Sequence, residues 1–418
     1  MGYEPDEIRQ RQRQRRQEQK RQRELKRRKI RRLLLLAAVA AAILGLGILI
    51  ASLVGHMSEE QPADVPTTST VDSALEPETV ITLAFGGDVN VTDKVVGVDN
   101  FRELLMDTVP LFAGADSAAV NFEGNLCGGP YGTDGSRAPQ SLAVALAAAG
   151  VDMMQVANSC TINNGLLGLN ATLENVRKAG LEPLGAYASL EEAEAYKGFT
   201  LRSIGGVKVA FVAFTKGMDN MAMPSGSEGR VNLLYKDYTS TYQEIDKEGI
   251  QKVLRAVALE KPDITVAMLH WGSEYNNQIS QSQQDIVKLM QKEGVDAIVG
   301  THSHYVQKLE YDAENGTVVA YSLGDLLGDA EKEGTQYSIV LQLEITKDNV
   351  SGNAKITAVD YVPVYAVTLP TESGTTLRLM RIEEAIAAYE ANSIDRVSYE
   401  VYSAMKTALS RIRSRVEG

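Results

Sequence analysis

Apolar and polar positions alternate in two distinct ways along the chain from about residue 80 onward. Short apolar runs predict buried strands, and longer segments with apolar residues at three- and four-residue steps predict helices. The predicted strands are Val80–Phe85, Ser117–Val120, Val151–Val156, Val207–Phe214, Val266–Leu269, Val295–Gly300, Val318–Leu323 and the hairpin Tyr337–Ile345 with Ala354–Val364. The predicted helices are Ala138–Ala149, Leu166–Ala179, Tyr242–Leu259 and Gln281–Lys292. This alternation predicts an α/β layered fold.

A single long apolar segment precedes this region. Leu33–Val54 is an uncharged run of 22 residues, about the length that a helix needs to cross the bilayer core. We therefore expect a transmembrane helix over residues 33–55, preceded by a tail over 1–32. A flexible spacer rich in Pro, Ser, Thr and acidic residues is expected over 56–79, followed by a globular domain over 80–367 and C-terminal helices over 368–418. The apolar stripe of Ser393–Gly418 predicts a helix packed on the domain, with binding to a partner as the alternative.

Charge predicts the orientation of this anchor. Residues 1–32 contain 14 Lys and Arg against 5 Asp and Glu, which places them in the cytoplasm and the C-terminal bulk outside. The expected location is therefore the cell membrane, crossed once. A basic tail alone would suggest nucleic acid, but its position beside the apolar run favours the membrane and no nucleic-acid partner. A cleaved signal peptide is the alternative, although both segments are long for one and no A-x-A site follows.

The remainder of the chain is acidic and poor in cysteine. The net charge of −12, less the +9 of the tail, leaves −21 on residues 33–418. An anionic ligand of such a domain needs a local cation, such as a metal ion. Cys127 and Cys160 are the two cysteines, which excludes a disulfide scaffold and permits one bridge in an exterior compartment.

Candidate chemistry is concentrated in one stretch of 42 residues, Val266–Gln307. It contains three of the four histidines, His270, His302 and His304, each just after a predicted strand. Parallel α/β sheets place ligand sites at the carboxyl ends of their strands, and neutral imidazoles are common metal ligands. Each such residue alone is more often structural, but their shared placement predicts a site for one or two divalent metals. The carboxylate and amide ligands expected beside them also follow predicted strands: Asp88, Glu123 and Asn158.

Six motifs in order resemble one known family: GGDVN, NFEGN, ANSCTINNG, LHWGSEY, VGTHSHYVQ and YSLGD. The resemblance, over about Thr82 to Asp325, is to the CapA family of extracytoplasmic capsule and poly-γ-glutamate biosynthesis proteins. That family is similar to calcineurin-like metallophosphoesterases. The resemblance implies a four-layer αββα sandwich of the metallophosphoesterase type. Its metal ligands would be Asp88, Glu123, Asn158, His270, His302 and His304.

Two departures from the family pattern bear on activity. Cys160 stands where the family has the histidine that metallophosphoesterases use as a general acid, and Asn163 stands in place of an Asp. Asp325 replaces the Asn of the usual YSLGN. The expected metal ligands are thus mostly retained, whereas the residues expected for acid–base catalysis are altered. If the loops that carry Glu123 and Asn158 meet, a Cys127–Cys160 disulfide is also possible, with two free thiols as the alternative.

The basic tail and apolar run predict a membrane-anchored protein, and the resemblance implies that it takes part in synthesis or export of a capsule polymer such as poly-γ-glutamate. The alternative is a metal-dependent hydrolase of phosphoesters or polymer amide bonds. Expected partners are the membrane, an anionic polymer, and a synthase complex with an amide ligase and a small membrane subunit. The expected cofactor is Mn, Fe or Zn, which suit mixed imidazole and carboxylate ligands. The expected substrate-binding residues are Cys160, Asn163, Trp271, Glu274, Tyr275 and Asp325.

Overall fold

A computed structural model of the chain describes residues 77–371 and 374–417. The predicted cytoplasmic tail, the predicted transmembrane helix and nearly all of the predicted spacer lie outside these residues. Within the described ranges, every helix is too short or too polar to cross a bilayer. The membrane topology therefore stays a prediction.

The described residues form two β-sheets. The strands are β1 (Glu78–Asn90), β2 (Ser117–Glu123), β3 (Met153–Gln155), β4 (Glu182–Leu184), β5 (Phe199–Ile204), β6 (Val207–Thr215), β7 (Ile264–His270), β8 (Ala297–Thr301), β9 (Leu309–Asp312), β10 (Thr317–Ala320), β11 (Asp325–Leu327), β12 (Tyr337–Asp348), β13 (Ala354–Thr371) and β14 (Gly374–Arg381). The larger sheet has the order β14-β13-β12-β1-β2-β3-β4, with β11 also paired to β1, and the smaller has the order β5-β6-β7-β8-β10-β9. The central pairs β1 with β2 and β6 with β7 with β8 are parallel.

Helices connect these strands. They are α1 (Asp93–Val96), α2 (Phe101–Leu105), α3 (Val109–Phe112), α4 (Gln140–Ala148), α5 (Gly165–Lys178), α6 (Leu190–Tyr196), α7 (Lys247–Glu260), α8 (Gln281–Lys292), α9 (Ile382–Glu390) and α10 (Tyr399–Glu417), with a 3₁₀ turn at Met106–Thr108. The prediction of an α/β fold is confirmed. The predicted helix Gln281–Lys292 is found with the predicted bounds, because a Ser280 capping box fixes its first turn.

Three apolar cores give the order of the layers. One core lies between the sheets and includes Phe85 from β1 and Phe211 from β6. A second joins the outer face of the larger sheet to α2, α3 and α4. A third joins the outer face of the smaller sheet to α7 and α8 through residues such as Leu254 and Ile286. Each central strand is thus buried on both faces, as its continuous apolar run predicts.

The C-terminal segment differs from the prediction. Residues from 368 onward were expected to be helical, but β13 continues to Thr371 and pairs with β14 before the first helix begins at Ile382. The strand prediction ended at Val364, whereas β13 continues through Pro370, which is tolerated near the end of the strand. The apolar stripe of α10 packs on the core between the sheets, through Met405 and Ile412, so this helix belongs to the domain.

One glycine is required to bring β1 to the site. β1 has an irregular register between Phe85 and Asp88. A side chain at Gly87 would collide with the carbonyl of Gly324. The close approach lets the amide of Asp88 donate to that carbonyl at 3.0 Å. Asp88 is thereby fixed next to the segment that carries Asp325.

Candidate metal centre

Six titratable side chains converge where the two sheets present the carboxyl ends of their parallel strands. They form two groups of three whose ligand atoms lie within 4.8 Å of one another. We name them the Glu123 triad, which is Glu123, His270 and His302, and the Asp88 triad, which is Asp88, His304 and Asp325. All six are buried. The structure thus brings together five of the six predicted ligands and adds Asp325.

The Glu123 triad is held by short polar contacts. His270 Nε2 lies 2.9 Å from Glu123 Oε1 and 3.0 Å from the hydroxyl of Ser159. The rings of His270 and His302 have centroids 4.4 Å apart. Burial lowers the pKa of both imidazoles well below the usual value, so both are neutral at pH 7. Neutral imidazole is the form that binds metals.

The Asp88 triad has a different balance of charge. Asp88 accepts from the Asn121 amide at 2.6 Å and from the backbone N–H of His302 at 2.9 Å. His304 Nδ1 lies 2.8 Å from Asp325 Oδ1. Burial opposes the imidazolium, but the carboxylates of Asp325, Glu123 and Asp88 together outweigh burial and raise the pKa of His304 to about 10. The second triad therefore already holds one protonated imidazole.

The site carries more negative than positive charge. Burial raises the pKa of Asp88, Glu123 and Asp325 to about 7 each, and the nearby charge of Glu123 adds to the rise at Asp88. Three carboxylates are thus poorly compensated by one imidazolium. His302 Nδ1 is also buried and has no hydrogen-bond partner among the described residues. A buried ring nitrogen whose lone pair has no partner and uncompensated carboxylates both fit a divalent cation, whose binding would replace the retained protons.

Backbone conformation places the two histidines after β8 on the site. His302 has φ of 90° and His304 has φ of 60°. Non-glycine residues rarely adopt this left-handed region, and they cluster at functional sites when they do. With both residues in the left-handed conformation, the centroids of the two rings lie 6.2 Å apart, and the two side chains belong to different triads.

Asn158 lies beside the site with its amide already engaged. Its Oδ1 accepts from the backbone N–H of Cys160 at 3.0 Å, and its Nδ2 donates to Asn121 Oδ1 and to the carbonyl of Phe122. The Asn158 side chain in this conformation braces the β2 and β3 loops. Its predicted role as a ligand stays a prediction.

Cys160 and Asn163 lie on the next turn of the same loop. Burial, and then the charge of Glu123, raise the pKa of the Cys160 thiol above its usual value. The thiol is therefore neutral at pH 7. Asn163 donates weakly to Ser136 at 3.4 Å, while its Oδ1 is buried with no partner among the described residues. Cys127 and Cys160 are both free thiols, so the structure contains no bridge between them.

Three of the expected substrate-binding residues belong to the segment after His270, and they separate in space. Tyr275 stacks on the His304 ring at 4.8 Å, and Glu274 borders the cleft beside the site. Trp271 packs into an apolar core instead of bordering the site, which corrects the prediction. It is fully buried in the outer core, where its indole N–H donates to the Tyr321 carbonyl at 2.9 Å. Successive strand residues face opposite sides of a sheet, so His270 faces the site and Trp271 faces away.

Replacing Trp271 by alanine is expected to lower the free energy of unfolding by about 3–5 kcal/mol, because it leaves a large cavity. Gly300 packs against the indole nitrogen and has no side chain with which to fill that cavity. Urea unfolding of the full-length chain measures the change. The exposed Tyr399, which is 66% accessible, is the matched control, and Tyr399→Ala is expected to change stability by less than about 1 kcal/mol. Equal effects of the two substitutions would contradict the placement of Trp271.

A cleft of about 520 Å³ opens beside the Glu123 triad. This volume lies within the roughly 300–1,000 Å³ of small-molecule sites. We call it the charged cleft, and the lining residues that matter are Ser159, Lys216, Asp219, Tyr242, Glu274 and His302.

The sequence did not reveal several residues of the site. Asn90 donates to Asp325 at 2.9 Å, and Asn121 links Asp88 to Asn158. Both asparagines fall within motifs, Asn90 in GGDVN and Asn121 in NFEGN, but the motifs assign a role to neither. Lys216 and Asp219 lie in a Gly- and Met-rich loop whose pattern predicts no chemistry.

One family model matches most of the globular region of the chain. The family model described as bacterial capsule synthesis protein PGA_cap matches residues 82–330. The chain belongs to this family. The resemblance that its motifs suggest is thereby confirmed, and the match spans both triads of the candidate metal centre.

Curated relatives in the capsule synthesis family carry matching names. The PGA biosynthesis protein CapA of Bacillus subtilis is 27% identical over 292 residues, which cover 67% of this chain and 72% of the relative. The capsule biosynthesis protein CapA of Bacillus anthracis is 27% identical over 201 residues, 48% of this chain and 46% of the relative. Among solved structures, a calcineurin-like phosphoesterase of Bacillus subtilis is 16% identical, with a TM-score of 0.40 over 82% of this chain and all of that one.

Proposed function

We propose that this chain is a membrane-anchored extracytoplasmic protein that takes part in synthesis or export of poly-γ-glutamate or a similar anionic surface polymer. Membership of the capsule synthesis family supports the process, as do the names of the Bacillus relatives. The αββα order of its layers is of the metallophosphoesterase type. The basic tail and apolar run before the described residues support the anchor.

The observation that carries the proposal is the pairing of three buried carboxylates with three buried imidazoles at one point between the sheets. The two triads would hold one or two divalent ions, and their mixture of nitrogen and oxygen donors favours Mn, Fe or Zn. A bound ion would supply the positive charge that an acidic exterior domain lacks for an anionic polymer. Asn121 and Asn90 would keep the ligand carboxylates in place.

The proposed partners are a membrane polymer synthase with an amide ligase and a small membrane subunit. Cells that lack this chain are expected to lose the surface polymer, measured as glutamate released by acid hydrolysis of cell-surface material. The full-length chain should restore it, and a chain with Asp88→Asn and Glu123→Gln should not. Undiminished polymer without the chain would overturn the proposal.

The anchor predicts one orientation, with residues 1–32 in the cytoplasm and the domain outside. Protease added to intact spheroplasts is then expected to remove nearly all of the domain, because no bilayer protects it. An antibody against the domain follows its loss, and a tag at residue 1 should stay protected. Protection of the domain until the membrane is permeabilised would contradict this topology.

A metal-dependent hydrolase of phosphoesters or polymer amide bonds is the second candidate. The convergence of the retained histidines favours it, because such centres also serve hydrolases. The neutral Cys160 thiol opposes it, since a weak acid donates poorly to a leaving oxygen. Turnover of a model phosphodiester and of a γ-glutamyl amide by the metal-loaded chain tests this function.

A further inference from the structure

The charged cleft contains a half-buried lysine that is only partly engaged. Lys216 Nζ donates to the carbonyl of Gly272 at 2.7 Å and lies 4.4 Å from the centre of the Tyr242 ring. Neither neighbour carries a charge. An ammonium has three donors, so Lys216 can still bind an anionic group in the cleft.

Two carboxylates face the same space. Asp219 and Glu274 both border the cleft. Burial raises the pKa of Asp219, and the nearby charge of Glu274 raises it further, so the two carboxylates repel each other. Asp219 sits in a left-handed turn with φ of 48°. Ser159, whose hydroxyl lies 3.0 Å from His270 Nε2 of the Glu123 triad, borders the same cleft. The carboxylates are thus built into the wall next to the metal centre.

Charges of both signs in one cleft select a ligand that also carries both. A purely anionic group is attracted by Lys216 but repelled by the two carboxylates. A purely cationic group is attracted by the carboxylates but repelled by Lys216. An α-amino acid end offers a carboxylate and an ammonium on one carbon atom. Its carboxylate pairs with the lysine and its ammonium with the two carboxylates. A ligand with only one of these charges would leave a charge of the cleft unpaired and would bind more weakly.

We propose that the charged cleft binds the amino-terminal residue of a γ-linked polyglutamate chain, with the α-carboxylate on Lys216 and the α-ammonium facing Asp219 and Glu274. This assignment rests on the proposed function, which supplies the polymer. Interior residues of such a chain carry the α-carboxylate, but their nitrogen is a neutral amide. The cleft therefore distinguishes a chain end from the chain interior and presents that end to the Glu123 triad.

Binding of two matched oligomers to the full-length, metal-loaded chain tests the assignment by calorimetry. One probe is a γ-linked triglutamate with a free amino terminus, and the other is the same oligomer with an acetylated amino terminus. Acetylation removes the ammonium and keeps every carboxylate. We expect it to weaken binding about ten- to hundred-fold, the usual range for losing hydrogen bonds between charged groups.

Substitutions test the lysine and the two carboxylates of the cleft separately. Asp219→Asn with Glu274→Gln should bring the affinity ratio of the two oligomers close to one. Lys216→Met should weaken both oligomers by a similar factor and keep the ratio, and Lys216→Arg should recover most of the loss. Glu228→Gln, at an exposed carboxylate of the same loop, is the matched control and should bind as the unaltered chain does. Metal content of each variant reports whether the centre is intact.

Each outcome decides between the two proposals. Equal affinity of the free and acetylated oligomers for the unaltered chain would overturn the assignment of the cleft and leave the polymer function standing. A ratio that survives in the double carboxylate variant would also overturn it. Failure of a metal-loaded chain to bind either oligomer would contradict both the cleft assignment and the proposed polymer.

Discussion

Replacing His302 and His304 together by alanine is expected to abolish stoichiometric divalent-metal binding by the purified chain. The two residues belong to different triads, so the double substitution removes one nitrogen ligand from each. Loss of groups that merely orient a ligand costs about 10–100-fold in metal affinity, so loss of a direct ligand should cost at least about 100-fold. Elemental analysis after loading with Mn, Fe or Zn and gel filtration measures the bound metal.

The fourth histidine gives a matched control for this result. His56 lies outside the described residues and outside the motifs, so His56→Ala should leave the metal content unchanged. The His302 and His304 side chains pack at the rim of the apolar core, so the variant must also be shown to be folded by circular dichroism. A folded double variant that binds metal with unaltered stoichiometry and affinity would refute the candidate centre.

Cys160→His is expected to raise the metal-dependent turnover of a model phosphodiester by about 10²–10⁴-fold, the usual contribution of a general acid. The neutral thiol, with its raised pKa, is a poor proton donor at pH 7. An imidazole at this position would lie near Glu123 and within the loop that carries Asn163. The unpartnered Oδ1 of Asn163 could then accept from the ring and orient it.

Cys127→His is the control for this gain. Cys127 is the other free thiol and belongs to neither triad, so its replacement should not alter turnover. Comparing the turnover of the two variants at equal metal content removes any effect that the substitutions have on metal loading. High turnover of the unaltered chain that Cys160→His leaves unchanged would show that the missing histidine never limited the reaction.

Sequence patterns predicted the fold well wherever a strand is buried on both faces. The runs Val209–Phe214, Val266–Leu269 and Ala297–Val299 in β6, β7 and β8 contain no polar residue, so their positions were clear. The three-residue strands β3, β4 and β11 are too short to carry a period of their own. The strand β3 was found by its apolar run, Val151–Val156, while β4 and β11 are stabilised by pairing with distant strands and were missed.

The site was predictable only to the extent that its residues follow strands. Asp88, Glu123 and His270 end β1, β2 or β7, and parallel topology forces such ends together. Asp325 was expected beside the substrate, yet it pairs with His304 because β11 runs along β1 with Asp88 opposite Asp325. Sequence cannot show this register. Asp219 was not predicted for a similar reason. It is a turn residue 96 positions from Glu123 in the sequence, and only the folding of its loop brings it next to the site.

The hydrogen bond from the His302 amide to Asp88 joins residues 214 positions apart, and Asn90 reaches 235 positions to Asp325. Contacts at such long sequence separation form late, because the loop entropy must be overcome first. A chain that grows from its amino end exposes Asp88 and Glu123 long before any imidazole of the centre has been made. Neither triad can close until synthesis has passed His302 and Asp325 respectively. Metal capture would therefore report that folding is nearly complete, and no early intermediate could be stabilised by it.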